Sequence, residues 1–402
     1  MDKYIKRDIE KEIKQSLKQF SAVSLTGPRQ SGKTTTLKKL FSRSHAYYSL
    51  DNTAERRMAQ EEPALYIKQM PEKVIIDEIQ YAPDLLSFIK MEIDDNPRKK
   101  GRFLLTGSQN FLMMKNFTET LAGRMCVLHM PLLSSDELRP TIPGGKTSDY
   151  FEKACINGTY PEPYLGVKSI SRWYESYLQL YIERDVRTLY NIGNLREFDK
   201  FLRLLAARPG QLLNMNSFAS DVGVTVPTIK NWLSIMNASG IIYVLHPYYA
   251  NIRTRLVKRP KIYFADTGLV CHLNNISSSG ALYRHPMLGQ IFENYCIMEA
   301  AKLFASRGKK ELFSFFRAEK STEVDLLIEY GDKILPFEFK ASMSHDPKWA
   351  AGIKSLISGK IKNKVEPGIV INLSDKDMML SDNVKAAGLF RMIDTLKSHL
   401  KK

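Results

Sequence analysis

The sequence predicts an α/β fold in which a parallel sheet flanked by helices is followed by a helical module and then a small α/β domain. Three observations carry this prediction. Ala22–Thr26 and Val74–Ile76 are short, apolar, β-branched runs of the kind buried on both faces of a parallel sheet, and helical periodicity follows each of them. Two helical stretches meet at Gly223 and are followed by strand-like runs at Ile241–Leu245 and Lys261–Phe264. From Leu288 a helical stretch precedes three more strand-like runs. A chain of 402 residues exceeds one ordinary core, and the expected domains are residues 1–150, 151–275 and 276–402.

The first strand ends in Gly27, Pro28, Arg29, Gln30, Ser31, Gly32, Lys33 and Thr34, which spell GxxxxGKT, with Thr35 continuing into the helix. Between a strand and a helix, this spacing marks a phosphate-cradling loop. Its glycines let successive N–H groups face an anion, Lys33 reaches the β and γ phosphates, and the Thr34 hydroxyl can sit on Mg²⁺. ATP and Mg²⁺ are therefore the expected cofactors. Ala46–Leu50 reads as the next strand, and Val74–Ile76 then delivers two acids, Asp77 and Glu78, to the edge of the sheet. In this setting Asp77 belongs to the Mg²⁺ shell, and Glu78 is the base that orients water toward the γ phosphate.

A helix is expected over Pro83–Asp94, and a fourth strand over Arg102–Gln109. The strand ends in Thr106, Ser108 and Gln109, each a candidate sensor of the γ phosphate or part of a plain turn. Arg124 precedes a fifth strand, Cys126–His129, and is either a phosphate contact or a surface arginine beside a turn. Residues 139–148 read as a loop. At the start of the chain, Ile5, Ile9, Ile13 and Leu17 repeat at four-residue spacing, an amphipathic helix rather than a leader.

In the middle domain the stripe of Trp173, Tyr174, Tyr177, Leu178, Tyr181 and Ile182 is read as packing. Asn216 to Leu233 reads as helix, tight turn, helix, with Thr225 as cap and Pro227 in the first turn. With the two strands that follow, this makes a winged helix. Its Thr228, Lys230 and Asn231 are placed to face DNA, and Arg253, Arg255, Lys258 and Arg259 to meet phosphates. Winged helices also dock proteins, so a protein partner stays open.

In the last domain Glu293 lies on a helix, Asp325 on a strand, and Glu338 and Lys340 on the next strand, where alternation puts both on one face. That order is found in PD-(D/E)XK nucleases. In such chemistry Asp325 and Glu338 hold Mg²⁺, Glu293 completes the metal shell and Lys340 positions or activates water. Glu-x-Lys is also common on solvated faces, and a vestigial site is the alternative.

Composition is that of an ordinary globular chain, with 44% hydrophobic and 25% charged residues. A formal charge of +16 points to a polyanionic partner such as nucleic acid, or to a basic solvated surface. Cys126, Cys155, Cys271 and Cys296 form no CxxC pair, which argues against a zinc site or disulfide framework and fits a cytoplasmic location. No apolar run is long enough to cross a bilayer, so no membrane partner is expected.

The chain as a whole resembles prokaryotic AAA+ type P-loop ATPases that carry a C-terminal domain of unknown function related to PD-(D/E)XK nucleases. The resemblance rests on Gly27–Thr34, Val74–Gln80, Leu104–Asn110, Leu121–Arg124, Tyr181–Val186, the helix-turn-helix, Lys261–Leu269, Gly289–Asn294, Glu323–Glu329 and Phe337–Lys340. It implies an ATPase core, a winged helix and a nuclease-like module. Val324 stands before Asp325 where the nuclease motif has proline. Three functions compete: an ATP-regulated DNA-processing protein, a nucleotide-switched DNA-binding regulator with an inactive nuclease fold, and a protein-interaction switch. An oligomer in which a neighbour supplies an arginine to the ATP site is compatible with each.

Overall fold

The computed structural model describes residues 4–107, 121, 123–182, 194–249, 258–317, 323–359 and 364–400. They fall into two compact units. The first comprises Met1–Leu133, Ala238–Gly240 and Phe304–Lys309, and the second comprises Ser134–Asn237, Ile241–Leu303 and Lys310–Lys402.

The first unit is built on five strands: β1 (Ala22–Thr26), β2 (Ala46–Ser49), β3 (Val74–Asp77), β4 (Phe103–Thr106) and β5 (Met125–His129). They form a sheet in the order β2-β3-β4-β1-β5, and every pairing is parallel. Every residue of β1, β3 and β4 is buried, as expected of strands covered on both faces. Helix α1 (Glu10–Gln19) brings Ile9 and Ile13 against Val23, Leu25, Ile75 and Leu104 on one face. Burying two such side chains contributes about 2 kcal/mol each. Helices α2 (Lys33–Phe41), α3 (Thr53–Glu61), α4 (Pro63–Gln69) and α5 (Leu85–Asp95) complete the layers. Ile67, Leu85 and Ile89 pack on Val74, Ile76, Phe103 and Leu105 of the opposite face. Because β4 separates β1 from β3, the strand order reverses beside β1, and the loops after β1 and β3 open at one sheet edge.

The second unit begins with helices that include Thr147–Ile156, Ile170–Leu180 and Leu195–Ala206. The expected aromatic stripe is internal: Trp173 stacks on Tyr177 at 5.3 Å, and the buried Tyr174 donates its hydroxyl proton to Asp266. Met215–Val222 and Val226–Ala238 follow, joined through Gly223 at φ 88. The left-handed turn needs glycine, and Thr225 Oγ1 caps the second helix by accepting from Thr228 N–H at 3.3 Å. Strands β6 (Ile242–Leu245) and β7 (Lys261–Phe264) then pair antiparallel.

A mixed sheet closes the unit. Its strands are β8 (Phe313–Arg317), β9 (Glu323–Tyr330), β10 (Lys333–Lys340), β11 (Lys364–Val365), β12 (Gly368–Asn372), β13 (Met378–Ser381) and β14 (Val384–Ala387). The order is β13-β14-β12-β10-β9-β8, with β11 also on β10. The hairpin of β6 and β7 runs into this sheet: Tyr248 N–H donates to Phe315 O at 2.6 Å, and Phe315 N–H donates to His246 O at 3.2 Å. Among the described residues no helix is long and apolar enough to cross a membrane, and all four cysteines are free thiols.

Candidate functional site

The loop after β1 is shaped by its glycines. Gly27 has φ 144, and a Cβ there would lie 2.3 Å from the carbonyl oxygen of Met130, so the backbones approach too closely for any side chain. Gly32 has φ 94 at the start of α2, and Gln30 between them also has a positive φ of 56. This sharply turned backbone ends at a helix N-terminus, a geometry that favours anions. Lys33 Nζ donates to Gly27 O at 3.0 Å and Pro28 O at 2.7 Å, which holds the ammonium across the loop. Buried Arg7 braces it from outside, donating to Ser31 O at 2.8 Å and Pro131 O at 2.6 Å.

Asp77, at the end of β3, is the hub of the site. Thr34 Oγ1 donates to its carboxylate at 3.0 Å, Tyr47 Oη donates at 2.6 Å, and Thr106 Oγ1 donates from the end of β4. The same Thr106 oxygen accepts the Glu78 N–H at 3.3 Å. Glu78 adopts φ 59, and its carboxylate accepts from Gln80 Nε2. Burial, then the bond to Asp77, pushes the Tyr47 phenol well above its ordinary pKa, so it remains a donor. At the end of β5, burial and the Lys33 ammonium push His129 down to about 4, leaving the imidazole neutral. A hydroxyl beside a carboxylate is a hard-oxygen donor pair that suits Mg²⁺, which fills its remaining positions with water and substrate phosphate. Thr34 and Asp77 fit that ion.

Of the three sensor candidates, Thr106 is joined to Asp77, while Ser108 and Gln109 lie outside the described residues. Arg124 pairs with Asp94, with Nη2 to Oδ2 at 3.0 Å. Arg253 and Arg255 also lie outside the described residues, whereas Lys230, Asn231, Lys258 and Arg259 are exposed and Thr228 is half-buried.

In the second unit the expected acids are brought together. Glu338 and Lys340 share a face of β10 and are bonded at 2.7 Å, and Asp325 accepts from Phe339 N–H at 2.9 Å. Burial, then the neighbouring Asp325 charge, raises Glu293 to about 7 and Glu338 to about 8, and burial raises Asp325 as well. The cation at the centre was not anticipated. Lys261 Nζ, from β7, lies 2.9 Å from Glu293, 2.5 Å from Glu323 and 4.0 Å from Asp325. Burial works against that ammonium, but Glu293, Asp325 and Glu323 outweigh it and raise its pKa. Among the described residues no group of three His, Cys, Asp or Glu side chains is arranged to hold a metal ion. Here the residues do not fit Mg²⁺.

With both sites in view, comparison with known proteins separates them. Residues 19–139 match the family model described as an AAA domain. The first unit, which holds most of that match, is similar to an AAA domain. Residues 148–280 and 288–391 match two models described only as domains of unknown function, DUF8612 and DUF4143. Uncharacterized proteins of Mycobacterium bovis and Mycobacterium tuberculosis are each 27% identical over 357 residues, spanning 88% of this chain and 77% of their own. Among solved structures, a Walker-type ATPase of Pyrococcus abyssi aligns over 66% of this chain and 95% of its own, with 13% identity and a TM-score of 0.42. The RuvB Holliday junction branch migration motor of Thermotoga maritima aligns over 59% and 88%, with 14% identity and a TM-score of 0.32.

Among the residues of these sites that escaped the sequence reading are Arg7, Tyr47, Gln80, His129, Lys261 and Glu323. Arg7, a lone basic residue before α1, and Lys261, at the start of a strand, carry no local signal. Tyr47 sits in an apolar run and His129 at a strand end, where only the strand order reveals what they face.

Proposed function

We propose that the chain is an ATP-binding, Mg²⁺-dependent ATPase whose turnover drives the helix-turn-helix, its hairpin and the C-terminal module as one body. The observation that carries this reading is the convergence of Lys33, Thr34 and Asp77 from the loop after β1 and the end of β3. Backbone N–H groups of Arg29 to Gly32 and of Thr34 and Thr35 cradle the phosphates, and Lys33 neutralises the β and γ oxygens. Thr34 and Asp77 hold Mg²⁺, which when bound offsets charge developing on the phosphate oxygens. Glu78 orients the attacking water, and Gln80 fixes its carboxylate. Motion as one body is supported by the backbone bonds joining the hairpin to β8. The test is ATP binding and turnover with Lys33→Ala: both should be lost, and unchanged affinity and turnover would sink the proposal.

Exposed cationic groups favour nucleic acid as the partner of that body. Lys230, on the second helix, and Lys258 and Arg259, before β7, border a groove of about 440 Å³. Backbone-directed contact of this kind predicts salt-sensitive duplex binding. Lys230→Ala should weaken binding uniformly across sequences and flatten the salt dependence. Affinity unaffected by salt would instead leave the helix-turn-helix as a protein-docking element.

A further inference from the structure

The acidic cluster of the second unit has a resident cation, and it comes from the hairpin. Among the described residues Lys261 is one of the most buried lysines, with 5% of its side chain exposed. Three carboxylates face its ammonium: Glu293 at 2.9 Å, Glu323 at 2.5 Å and Asp325 at 4.0 Å. The other cations nearby are engaged at the edges, Lys340 on Glu338 at 2.7 Å and Arg317 4.0 Å from Glu323. A buried carboxylate group without a compensating cation is strongly unfavourable. Lys261 supplies that compensation where the order of acids along the chain would call for a divalent ion.

The lysine is built in. Its residue bridges Leu212 on one side of β7 and pairs with Leu245 on the other. Gly210 N–H donates to Ile262 O at 2.9 Å, and Gly210 has φ 71 with its Cα beside Glu293 and Tyr263, where a Cβ would come within 3.2 Å of Glu293 Oε1. Tyr263 Oη donates to Glu293 Oε1, at 2.6 Å, the same oxygen that takes Lys261. On the next helix residue, Asn294 accepts from Phe264 N–H at 2.7 Å and donates to Phe264 O at 3.0 Å, as a neighbouring strand would. These bonds fix the backbone position from which the ammonium reaches the cluster.

We propose that Lys261 is the permanent counter-ion of the Glu293, Glu323 and Asp325 cluster, so that the C-terminal module is a metal-independent junction with a latent divalent-cation site that a single substitution opens. This holds whether or not the first unit hydrolyses ATP. The test is Mn²⁺ binding to the full chain without nucleotide, in an Asp77→Asn background that removes the carboxylate of the nucleotide site. With Lys261 intact, no stoichiometric Mn²⁺ should be held below about 1 mM. Lys261→Met should gain one Mn²⁺ site at least about tenfold tighter, because the cluster keeps its oxygen donors while losing the ammonium at its centre. Adding Asp325→Asn should abolish it. A Mn²⁺ site in the Lys261-containing chain that Asp325→Asn removes would overturn the proposal, as would a folded Lys261→Met chain that gains none. Should Lys261→Met fail to fold, the Lys261-containing chain decides alone: no site supports the proposal, and an Asp325-dependent site overturns it.

Discussion

Thr34 Oγ1 lies 3.0 Å from both carboxylate oxygens of Asp77, which links the first turn of α2 to the end of β3. β1, which leads into α2, and β3 are not neighbours, since β4 runs between them. The two residues that would share a metal ion are thus placed by sheet order rather than by direct pairing. Asp77→Asn keeps an oxygen acceptor for Thr34 and Tyr47 but removes the charge. ATP binding should survive, while Mg²⁺-dependent turnover falls by about 100-fold. Turnover within a factor of about two of wild type would remove Asp77 from the metal shell.

Glu78 offers the complementary test. Its backbone holds φ 59, a conformation unusual for a non-glycine residue, and Thr106 Oγ1 pins its N–H. Strain of this kind is retained where the surroundings fix it. Glu78→Gln preserves size and the Thr106 contact but cannot take a proton from water. ATP affinity should be unchanged and kcat lower by at least about 100-fold, measured by phosphate release under saturating ATP. A parallel loss of affinity would mean that Glu78 shapes the loop instead.

How much of this was legible in the chain itself depends on the range over which the signal acts. The loop from Gly27 to Thr34 and the acids Asp77 and Glu78 are local patterns, and the strands that carry them are short apolar runs, so both were readable. The hydroxyl network around Asp77 was not, because Tyr47 and Thr106 reach it only through the β2-β3-β4 adjacency. The same holds more strongly in the second unit. Alternation along β10 correctly put Glu338 and Lys340 on one face, but Lys261 arrives from a strand 64 residues before Asp325, and nothing in its neighbours marks it as a cation for buried acids.

Tyr47 gives a graded test of the hub. Its hydroxyl donates to Asp77 at 2.6 Å, and its ring lies under the Lys38 ammonium, 3.6 Å from the centroid. Tyr47→Phe keeps the ring and removes one hydrogen bond to a charged acceptor, a loss of about 1.5–3 kcal/mol. The thermal midpoint of the first unit should fall, and Mg²⁺ should restore part of it by taking up the freed carboxylate oxygen. A midpoint unchanged in both conditions would show that the contact is not formed in solution.

His129 predicts a pH dependence. Its folded pKa is about 4 against an ordinary 6.5, because burial and Lys33 disfavour the imidazolium. The unfolded chain therefore binds the extra proton first as pH falls. The stability contributed by the neutral ring is fully present above pH 6.5 and is lost progressively between 6.5 and about 4, up to about 3 kcal/mol. On going from pH 7.5 to pH 5 the urea midpoint of wild type should fall by more than that of His129→Phe. A constant difference across that range would show that His129 is not held neutral.

Two glycines separate backbone conformation from steric contact. Gly123 has φ 76 with nothing within 4 Å of a Cβ, so Gly123→Ala meets the left-handed penalty alone, about 1 kcal/mol. Gly27 has φ 144, and an added Cβ would stand 2.3 Å from Met130 O, a backbone atom of the segment after β5 that cannot rotate away. Met130 N–H also donates to Thr26 O at 2.8 Å, which holds the two segments together. Gly27→Ala must therefore push the loop off β5 or part those strands, at a cost of more than about 3 kcal/mol. Because the same residue starts the phosphate cradle, loss of stability and loss of ATP affinity should appear together, read by urea denaturation and by a fluorescent ATP analogue. Gly123→Ala should show the small stability loss with ATP affinity intact. Equal effects of the two substitutions would mean that the approach to Met130 does not constrain the loop.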